Sequence, residues 1–167
     1  MKNLYLTRHA KSSWGNPGLA DIDRPLNGRG KKAAPLMGKL ISERGEKPEL
    51  LISSPANRAF STAKAFAKEM GYAETDIIVN RAIYGVGAQQ LLNLVKDLDD
   101  LYNSIMLFGH NPTFTSFGNM VSGENIVNVV TCGVVRIDFE FSSWKNIDFN
   151  SGRMVFYEYP KKHTDKP

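Results

Sequence analysis

Two arginines and two histidines in this sequence have the side-chain types and neighbours that phosphoryl chemistry requires. Arg8 and His9 are adjacent near the N-terminus. Arg58 follows a serine–proline pair by three residues, and His110 directly precedes an asparagine–proline pair. Arginine forks bind phosphate oxygens through paired hydrogen bonds, and histidine can be neutral and nucleophilic near pH 7. Such a group could bind a dianionic phosphoryl group and accept it covalently.

Each of these residues also has an ordinary structural explanation. Arg8 and His9 could form a surface or capping pair. Arg58 could be a solvated arginine in an exposed first helical turn, and His110 could merely orient the turn that follows it. The chemical interpretation therefore depends on whether the fold brings the residues together.

The elements that must position them alternate between strands and helices. Apolar runs predict strands at 4–6, 50–52, 77–79 and 104–108, followed by two alternating strands at 134–141 and 153–159. Helical spacing predicts helices at 28–43, 55–70, 88–98 and 112–121, the second and fourth opened by a cap and a proline at 54–55 and 111–112. This order predicts an α/β three-layer sandwich with a mostly parallel central sheet and antiparallel strands near the C-terminus.

The candidate residues follow three different predicted strands. The first strand leads into Arg8 and His9, the second into Ser54 and Arg58, and the fourth into His110. In open α/β sheets, ligands bind outside the carboxyl ends of the strands. We therefore expect two arginines and two histidines to meet at one edge of the sheet, with helix N-termini adding backbone donors.

Four segments resemble the motifs of the histidine phosphatase superfamily. Leu6-Thr7-Arg8-His9-Ala10 resembles the first motif, with alanine where the family often has glycine. Residues 53–63 (SSPANRAFSTA) and 108–112 (FGHNP) are similar to the second and third motifs. Residues 21–30 (DIDRPLNGRG) resemble the small SixA-like branch, which is associated with phosphohistidine phosphatase activity. The likeness spans roughly residues 4–118 and implies a phosphoglycerate mutase-like fold.

The resemblance assigns catalytic roles to the same four residues. His9 would be the nucleophile that accepts the phosphoryl group. Arg8 and Arg58 would clamp its oxygens, and His110 would be a further donor to them. Two arginines beside His9 would lower its pKa and keep the attacking nitrogen free. Because preorganised donors stabilise the transferring charge, we expect neither a metal ion nor another cofactor.

The loop between the first strand and the first helix supplies further candidates. Arg24 and Ser12 are predicted to bind substrate, together with Asn111 from the third motif. Asp21 is the candidate general acid, whereas Asp23 could simply pair with Arg24 and brace the loop.

An acid has to come from elsewhere in the chain, because this sequence lacks the proton donor of the larger branches of the family. Mutase-like and acid-phosphatase members carry a glutamate or aspartate proton donor, but residues 81–90 (RAIYGVGAQQ) contain no carboxylate. An alkoxide leaving group needs a proton in the transition state, whereas a phosphorylated imidazole leaves readily once its ring is neutral or protonated. The sequence therefore disfavours a sugar-acid mutase and favours a phosphoramidate substrate.

These observations predict a metal-independent phosphatase that acts through a phosphohistidine intermediate on phosphohistidine in a partner protein. One alternative is the same chemistry on a small phosphorylated metabolite. Another is a module that captures phosphorylated ligands without turnover, although a binder gains nothing from a neutral histidine between arginines.

Length and composition limit the remaining possibilities. The 167 residues predict one domain over 1–160, followed by a short basic tail at 161–167 that we expect to be frayed. With 42% apolar residues the chain has an ordinary globular composition, which argues against disorder. The single cysteine, Cys132, leaves no room for an internal disulfide.

The net charge of +4 favours anionic partners in general. A basic stripe with interleaved aromatic residues is not visible, so a nucleic-acid partner is not expected. The chain has no apolar run of about 20 residues that could cross a membrane and no apolar stretch typical of a signal peptide. We therefore expect a cytoplasmic protein, and the sequence makes no prediction of its oligomeric state.

Overall fold

The computed structural model describes residues 1–164 and contains a six-stranded mixed sheet with helices on both faces. The strands are β1 (Lys2–Arg8), β2 (Leu50–Ser53), β3 (Ile78–Val79), β4 (Ser104–Gly109), β5 (Val134–Phe139) and β6 (Gly152–Glu158). The α-helices are α1 (Gly28–Glu43), α2 (Asn57–Met70), α3 (Ala88–Lys96), α4 (Thr113–Ser122) and α5 (Lys161–Thr164). Short 3-10 turns lie at Asp21–Asp23, Glu74–Asp76, Arg81–Ile83 and Trp144–Asn146.

The strands are arranged in the order β3-β2-β4-β1-β5-β6. The first four in this order are parallel, β5 is antiparallel to β1, and β6 is antiparallel to β5. Arg8 at the end of β1 pairs with Gly109 at the end of β4, so both strands finish at the same level. The predicted three-layer α/β sandwich with a mostly parallel sheet is therefore confirmed.

Alternate side chains of the central strands fill two separate cores. Leu4 and Leu6 of β1 pack with Phe117 of α4 and with residues of α3 on one face of the sheet. Tyr5 points to the other face, where it packs with Phe66 of α2 and with residues of α1. Because successive strand side chains alternate between faces, β1 is held from both sides and its end is rigidly placed.

The start of α2 differs from the sequence-based expectation. Ser54 was predicted as the N-cap, but the helix begins at Asn57 and Ala56 occupies the cap position with an extended backbone. The hydroxyl of Ser54 accepts a hydrogen bond from the Ala56 N–H and also contacts the His110 ring. Ser54 is therefore drawn into the site at the strand ends, and the helix starts two residues later than predicted.

The C-terminal segment forms a short helix over the residues that the structure describes. Lys162 and His163 lie in the short helix α5 and pair with the carboxylate of Glu158, at 3.8 Å and 2.6 Å. Residues 161–164 thus lie in a helix, 165–167 lie outside the described residues, and the fraying of the tail stays a prediction. The division into a domain and a tail at residue 160 stays a prediction. Within residues 1–164, no helix is long and apolar enough to span a membrane.

Candidate active site

The carboxyl ends of β1 and β4 bring two histidines together. His9 directly follows β1, and its backbone N–H donates to the Gly109 carbonyl at the end of β4, at 3.0 Å. The next residue, His110, places its ring centroid 5.3 Å from that of His9. A side chain at Gly109 would begin 2.5 Å from the Phe114 ring, so glycine permits the close packing behind this pair.

The His9 ring is held in one tautomer. Its Nδ1 lies 2.7 Å from the carbonyl oxygen of Ala10. Because a carbonyl can only accept, Nδ1 carries the proton and Nε2 of the neutral ring carries the lone pair. The Thr62 hydroxyl fixes this arrangement, accepting from the Ala10 N–H at 3.0 Å and donating to the Arg58 carbonyl at 2.7 Å. His9 therefore presents Nε2 as a potential nucleophile.

Burial keeps His9 neutral. The residue is only 8% exposed, and burial is the largest cause that lowers its pKa from 6.5 to about 4. The positive charges of Arg58 and Arg8 act in the same direction, while the hydrogen bond to Ala10 opposes them. The sequence predicted the effect of the arginines, but not that desolvation would exceed it.

Both predicted clamp arginines lie at this site and each keeps one nitrogen unpaired. Arg8 donates from Nη1 to the Val129 carbonyl at 3.0 Å. Arg58 donates from Nη1 and Nη2 to the carbonyl and carboxylate of Asp21, at 2.7 and 3.0 Å. The Nε atoms of both arginines are buried without a hydrogen-bond partner. Each arginine is thus anchored through one part of its guanidinium group and has a donor left for a ligand.

His110 is a third anchored donor. Its Nε2 lies 2.8 Å from the Ser54 hydroxyl, which accepts from the Ala56 N–H and so has its own hydrogen available for Nε2. When the Ser54 hydroxyl donates to Nε2, the proton of the neutral ring is on Nδ1, which is buried without a partner. Burial, followed by the nearby His9 and Arg58, lowers the pKa of His110 to about 3. His110 is therefore a neutral hydrogen-bond donor.

Asp21 joins two arginines and a tyrosine. Its carboxylate accepts from Arg24 Nε at 3.1 Å, Arg58 Nη2 at 3.0 Å and the Tyr84 hydroxyl at 2.6 Å. The Tyr84 hydrogen bond, followed by those of Arg58 and Arg24, holds the pKa of Asp21 well below its ordinary value. An ionised carboxylate has no proton to donate. This geometry does not support the predicted general-acid role and instead gives Asp21 the role of positioning Arg58.

Arg24 and Ser12 are bound to each other. Arg24 Nη1 donates to the Ser12 hydroxyl at 2.8 Å, and its guanidinium lies 3.5 Å from the centre of the Trp14 ring. Arg24 thus borders the site through Asp21, and its positive charge also acts to lower the pKa of His9. Ser12 braces Arg24 as an acceptor and keeps its own hydroxyl hydrogen, so its role in binding substrate stays a prediction.

Asn111 does not support its predicted role in binding substrate. Its Nδ2 donates to the Asn128 side chain and to the Val129 carbonyl, both at 2.8 Å. Its Oδ1 accepts from the backbone and the hydroxyl of Thr115. The amide is therefore satisfied within the fold, and it positions the same Val129 carbonyl that anchors Arg8.

Three contributors to the site were not singled out from the sequence. Tyr84 lies in the carboxylate-free segment 81–90, and Thr62 lies inside the second motif. Gly30 lets α1 approach the chain after His9, because a side chain there would begin 2.1 Å from the Lys11 carbonyl oxygen. Thr62 and Gly30 lie within segments that resemble the family's motifs, so the sequence could have indicated them. No local sequence pattern points to Tyr84.

The positive charge at the site comes from arginine side chains. Arg8, Arg24 and Arg58 all act on His9. Across residues 1–164, no group of three or more His, Cys, Asp or Glu side chains is arranged to hold a metal ion. The arrangement provides a neutral nucleophile and fixed donors, which are the parts needed to transfer a phosphoryl group.

Comparison with known proteins agrees with this geometry. The family model described as histidine phosphatase superfamily (branch 1) matches residues 4–83. The crystal structure of the SixA protein from Agrobacterium tumefaciens has a TM-score of 0.82 and 28% identity, covering 95% of this chain and 98% of that one. A mycobacterial glucosyl-3-phosphoglycerate phosphatase has a TM-score of 0.73 at 12% identity, covering 96% of this chain and 100% of that one.

A curated relative extends the likeness over nearly the whole chain. An uncharacterized chloroplastic protein of Arabidopsis thaliana is 30% identical over 160 residues, which is 90% of this chain and 72% of the relative. The family match and the fold support phosphatase activity at the site described above. The chain belongs to the histidine phosphatase superfamily and has a SixA-like structure.

Proposed function

We propose that this protein is a phosphatase that forms a phosphohistidine on His9 and removes phosphate from phosphohistidine in a partner protein. One observation carries the proposal: three donors, Arg8 Nε, Arg58 Nε and His110 Nδ1, are buried without partners beside a neutral histidine. Buried polar groups in proteins are nearly always paired. A phosphoryl group on His9 would supply acceptors for all three.

In the first half-reaction, the lone pair on Nε2 of His9 attacks the phosphorus of the substrate. The bond from phosphorus to the substrate nitrogen breaks, and its electron pair returns to the leaving imidazole. Arg8, Arg58 and His110 stabilise the charge on the three phosphoryl oxygens, and no metal or other cofactor takes part. The imidazole leaves as a neutral molecule when its second nitrogen carries a proton.

In the second half-reaction, water attacks the phosphorus of the phosphoenzyme. The bond between phosphorus and Nε2 breaks, and Nε2 regains its lone pair. The proton lost by the water goes to the released phosphate. Because the Ala10 carbonyl holds the proton of His9 on Nδ1 throughout, the enzyme returns to its starting tautomer.

The state of Asp21 supports a phosphohistidine substrate. A monoester releases an alkoxide, which needs a proton donor. Asp21 is kept ionised by Tyr84 and two arginines, so it is poorly suited to that task. A phosphorylated imidazole needs no comparable donor. The likeness to the SixA protein supports the same choice.

A small phosphorylated metabolite is the second candidate substrate. Its support is the structural likeness to the mycobacterial glucosyl-3-phosphoglycerate phosphatase. Capture of a phosphorylated ligand without turnover is less well supported, because a low pKa on His9 serves attack rather than binding. A cytoplasmic location stays a prediction, and the Arabidopsis relative is chloroplastic.

A turnover assay on a phosphohistidine protein beside a panel of phosphate monoesters tests the proposal. We expect the higher kcat/KM on phosphohistidine, no change on adding a chelator, and no turnover by His9→Ala. His163→Ala is the matched control, since this histidine pairs with Glu158. Faster turnover of a monoester would favour the metabolite phosphatase, and binding without turnover would favour the capture module.

A further inference from the structure

A cleft of about 740 Å³ with basic walls lies between α1, the segment before β5 and the start of α5. Four of its lining residues are cations: Lys11, Arg29, Lys32 and Lys161. We call this feature the basic cleft. None of its lining residues is acidic.

The four cations of the basic cleft have no acidic partner in the part of the chain that the structure describes. All four are exposed, and none lies within ion-pair distance of a carboxylate. Some surface lysines are paired, as Lys39 is with Glu43 and Lys64 with Glu74, whereas others such as Lys31 and Lys68 have no ion pair among the described residues. Within residues 1–164, no carboxylate therefore compensates the positive charge of the cleft.

Two of these cations, Arg29 and Lys32, are placed unfavourably for the stability of α1. Arg29 and Lys32 lie in the first two turns of the helix, which have no acidic residue. The N-terminus of a helix carries partial positive charge, so cations there destabilise it. Arg29, Lys32 and Leu36 also share one face, because residues spaced three and four apart align on a helix. A ligand for this face would explain the arrangement.

The basic cleft adjoins the active site through two chain segments. Lys11 follows the nucleophile His9 by two residues. Val130 and Thr131 directly precede Cys132, whose N–H donates to the backbone carbonyls of Arg8 and His9 at 3.0 Å. Two segments of the cleft lining therefore lie within a few residues of His9 or of its hydrogen-bond partner Cys132.

The dimensions and chemistry of the cleft fit a short stretch of protein chain. From Arg29 to Leu36 the cleft runs along eight residues of α1, whose seven steps span about 10 Å at the rise of an α-helix. An extended chain covers that length with about three residues. The lining also includes the apolar side chains of Leu36 and Val130, which can contact the aliphatic parts of a peptide.

We propose that the basic cleft binds an acidic segment next to the phosphohistidine of a protein substrate. The inference rests on the proposed function and specifies its partner: the phosphorylated residue lies near acidic residues in the partner's folded surface or sequence. Complementary charge across such a surface speeds encounter and selects the partner. A metabolite with a second anionic group is the competing occupant.

The test compares phosphohistidine peptides of one length whose flanking residues are glutamate, glutamine or lysine, with free phosphohistidine as a fourth substrate. The variant is Arg29→Glu combined with Lys32→Glu. Lys31→Glu is the matched control, since Lys31 is exposed on the same helix but does not line the cleft. Both changes place acidic residues near the helix N-terminus, which favours folding, and a melting curve verifies it.

We expect wild type to prefer the glutamate peptide. Two reversed charges, each worth up to about fivefold at an exposed site, should lower its kcat/KM by about tenfold or more and raise that of the lysine peptide. Free phosphohistidine should change by less than about twofold, because it has no flanking acidic residue and the charges of its α-carboxylate and α-ammonium groups cancel.

Several results would overturn the inference while leaving the proposed function intact. One is an equal change in kcat/KM on the glutamate and glutamine peptides. Another is an effect of Lys31→Glu equal to that of the double variant. A third is a loss of kcat/KM confined to a small dianionic metabolite. Failure of wild type to turn over free phosphohistidine and all three peptides would instead reject the proposed function, and the inference would fall with it. The dependence on flanking charge thus tests the cleft, and turnover of the glutamine peptide and of free phosphohistidine tests the chemistry.

Discussion

Replacing Arg58 by lysine separates the need for a positive charge from the need for a guanidinium fork. Arg58 uses Nη1 and Nη2 to hold Asp21, at 2.7 and 3.0 Å, while its buried Nε has no partner. A lysine ammonium is a single point charge. Its three donors all leave one nitrogen, so it cannot place donors at the separate positions from which Arg58 Nη1 and Nη2 reach Asp21 and Nε would reach a phosphoryl oxygen.

The expected loss follows from the number of donors removed. Arg58→Lys deletes one fixed donor from the transition state, and deleting one such donor costs about 3 kcal/mol. That free energy corresponds to about 150-fold in kcat. Arg58 is 6% exposed, so solvent cannot replace the missing group efficiently. Arg58→Ala, which also releases Asp21, should lose at least as much.

Steady-state kinetics on phosphohistidine and on a chromogenic monoester would measure this effect. Arg81→Lys is the matched control, because Arg81 is an exposed arginine that lines no part of the site. A melting curve of each variant separates loss of activity from loss of folding. If Arg58→Lys kept kcat within about threefold of wild type, a point charge would suffice and the fork argument would be refuted.

Three further predictions follow from the positions of Asp21, His9 and Thr62. Asp21→Asn should lower kcat/KM for monoester and phosphohistidine by the same factor, up to about fivefold for a half-exposed ion pair; a loss confined to the monoester would make Asp21 the proton donor after all. Burial lowers the pKa of His9 to about 4 and that of His110 to about 3, so NMR titration should find both rings neutral at pH 5.5, and a midpoint near 6.5 would contradict this. Because both rings are neutral in the folded chain, the unfolded chain binds more protons than the folded one in this pH range. The contribution of the two histidines to the free energy of unfolding should therefore rise with pH between about 4 and 6.5 and be complete above that range. Urea titrations at several pH values would show this rise. Thr62→Val leaves the buried Ala10 N–H unpaired and should lower the free energy of unfolding by about 1–3 kcal/mol; unchanged stability would show that this hydrogen bond is not needed.

The sequence predicts the meeting of His9 and His110 because that meeting depends on local rules. Apolar runs mark the strands, parallel strands end at a common edge, and both histidines follow such ends. The structure places their rings 5.3 Å apart. The same rules place Arg58 near the start of the next helix, where it is the second residue of α2, so the core of the site needed no long-range information.

The environment of Asp21 could not be predicted in the same way. Its contact with Tyr84 joins residues 63 positions apart, through two loops whose paths no periodic pattern specifies. Without that contact, a carboxylate near the site suggests an acid. With it, the carboxylate is held ionised. Asn111 shows a similar limit, because only the folded chain reveals that its amide is fully paired with Asn128, Val129 and Thr115.

The most direct measurement of the central claim is to trap the phosphoenzyme by rapid quenching and to locate the phosphate. We expect a base-stable, acid-labile adduct on Nε2 of His9, because Nδ1 donates its hydrogen bond to the Ala10 carbonyl. The adduct should be absent from His9→Ala and unaffected in His163→Ala. An adduct on Nδ1 or on His110, or turnover that persists in His9→Ala, would contradict the account.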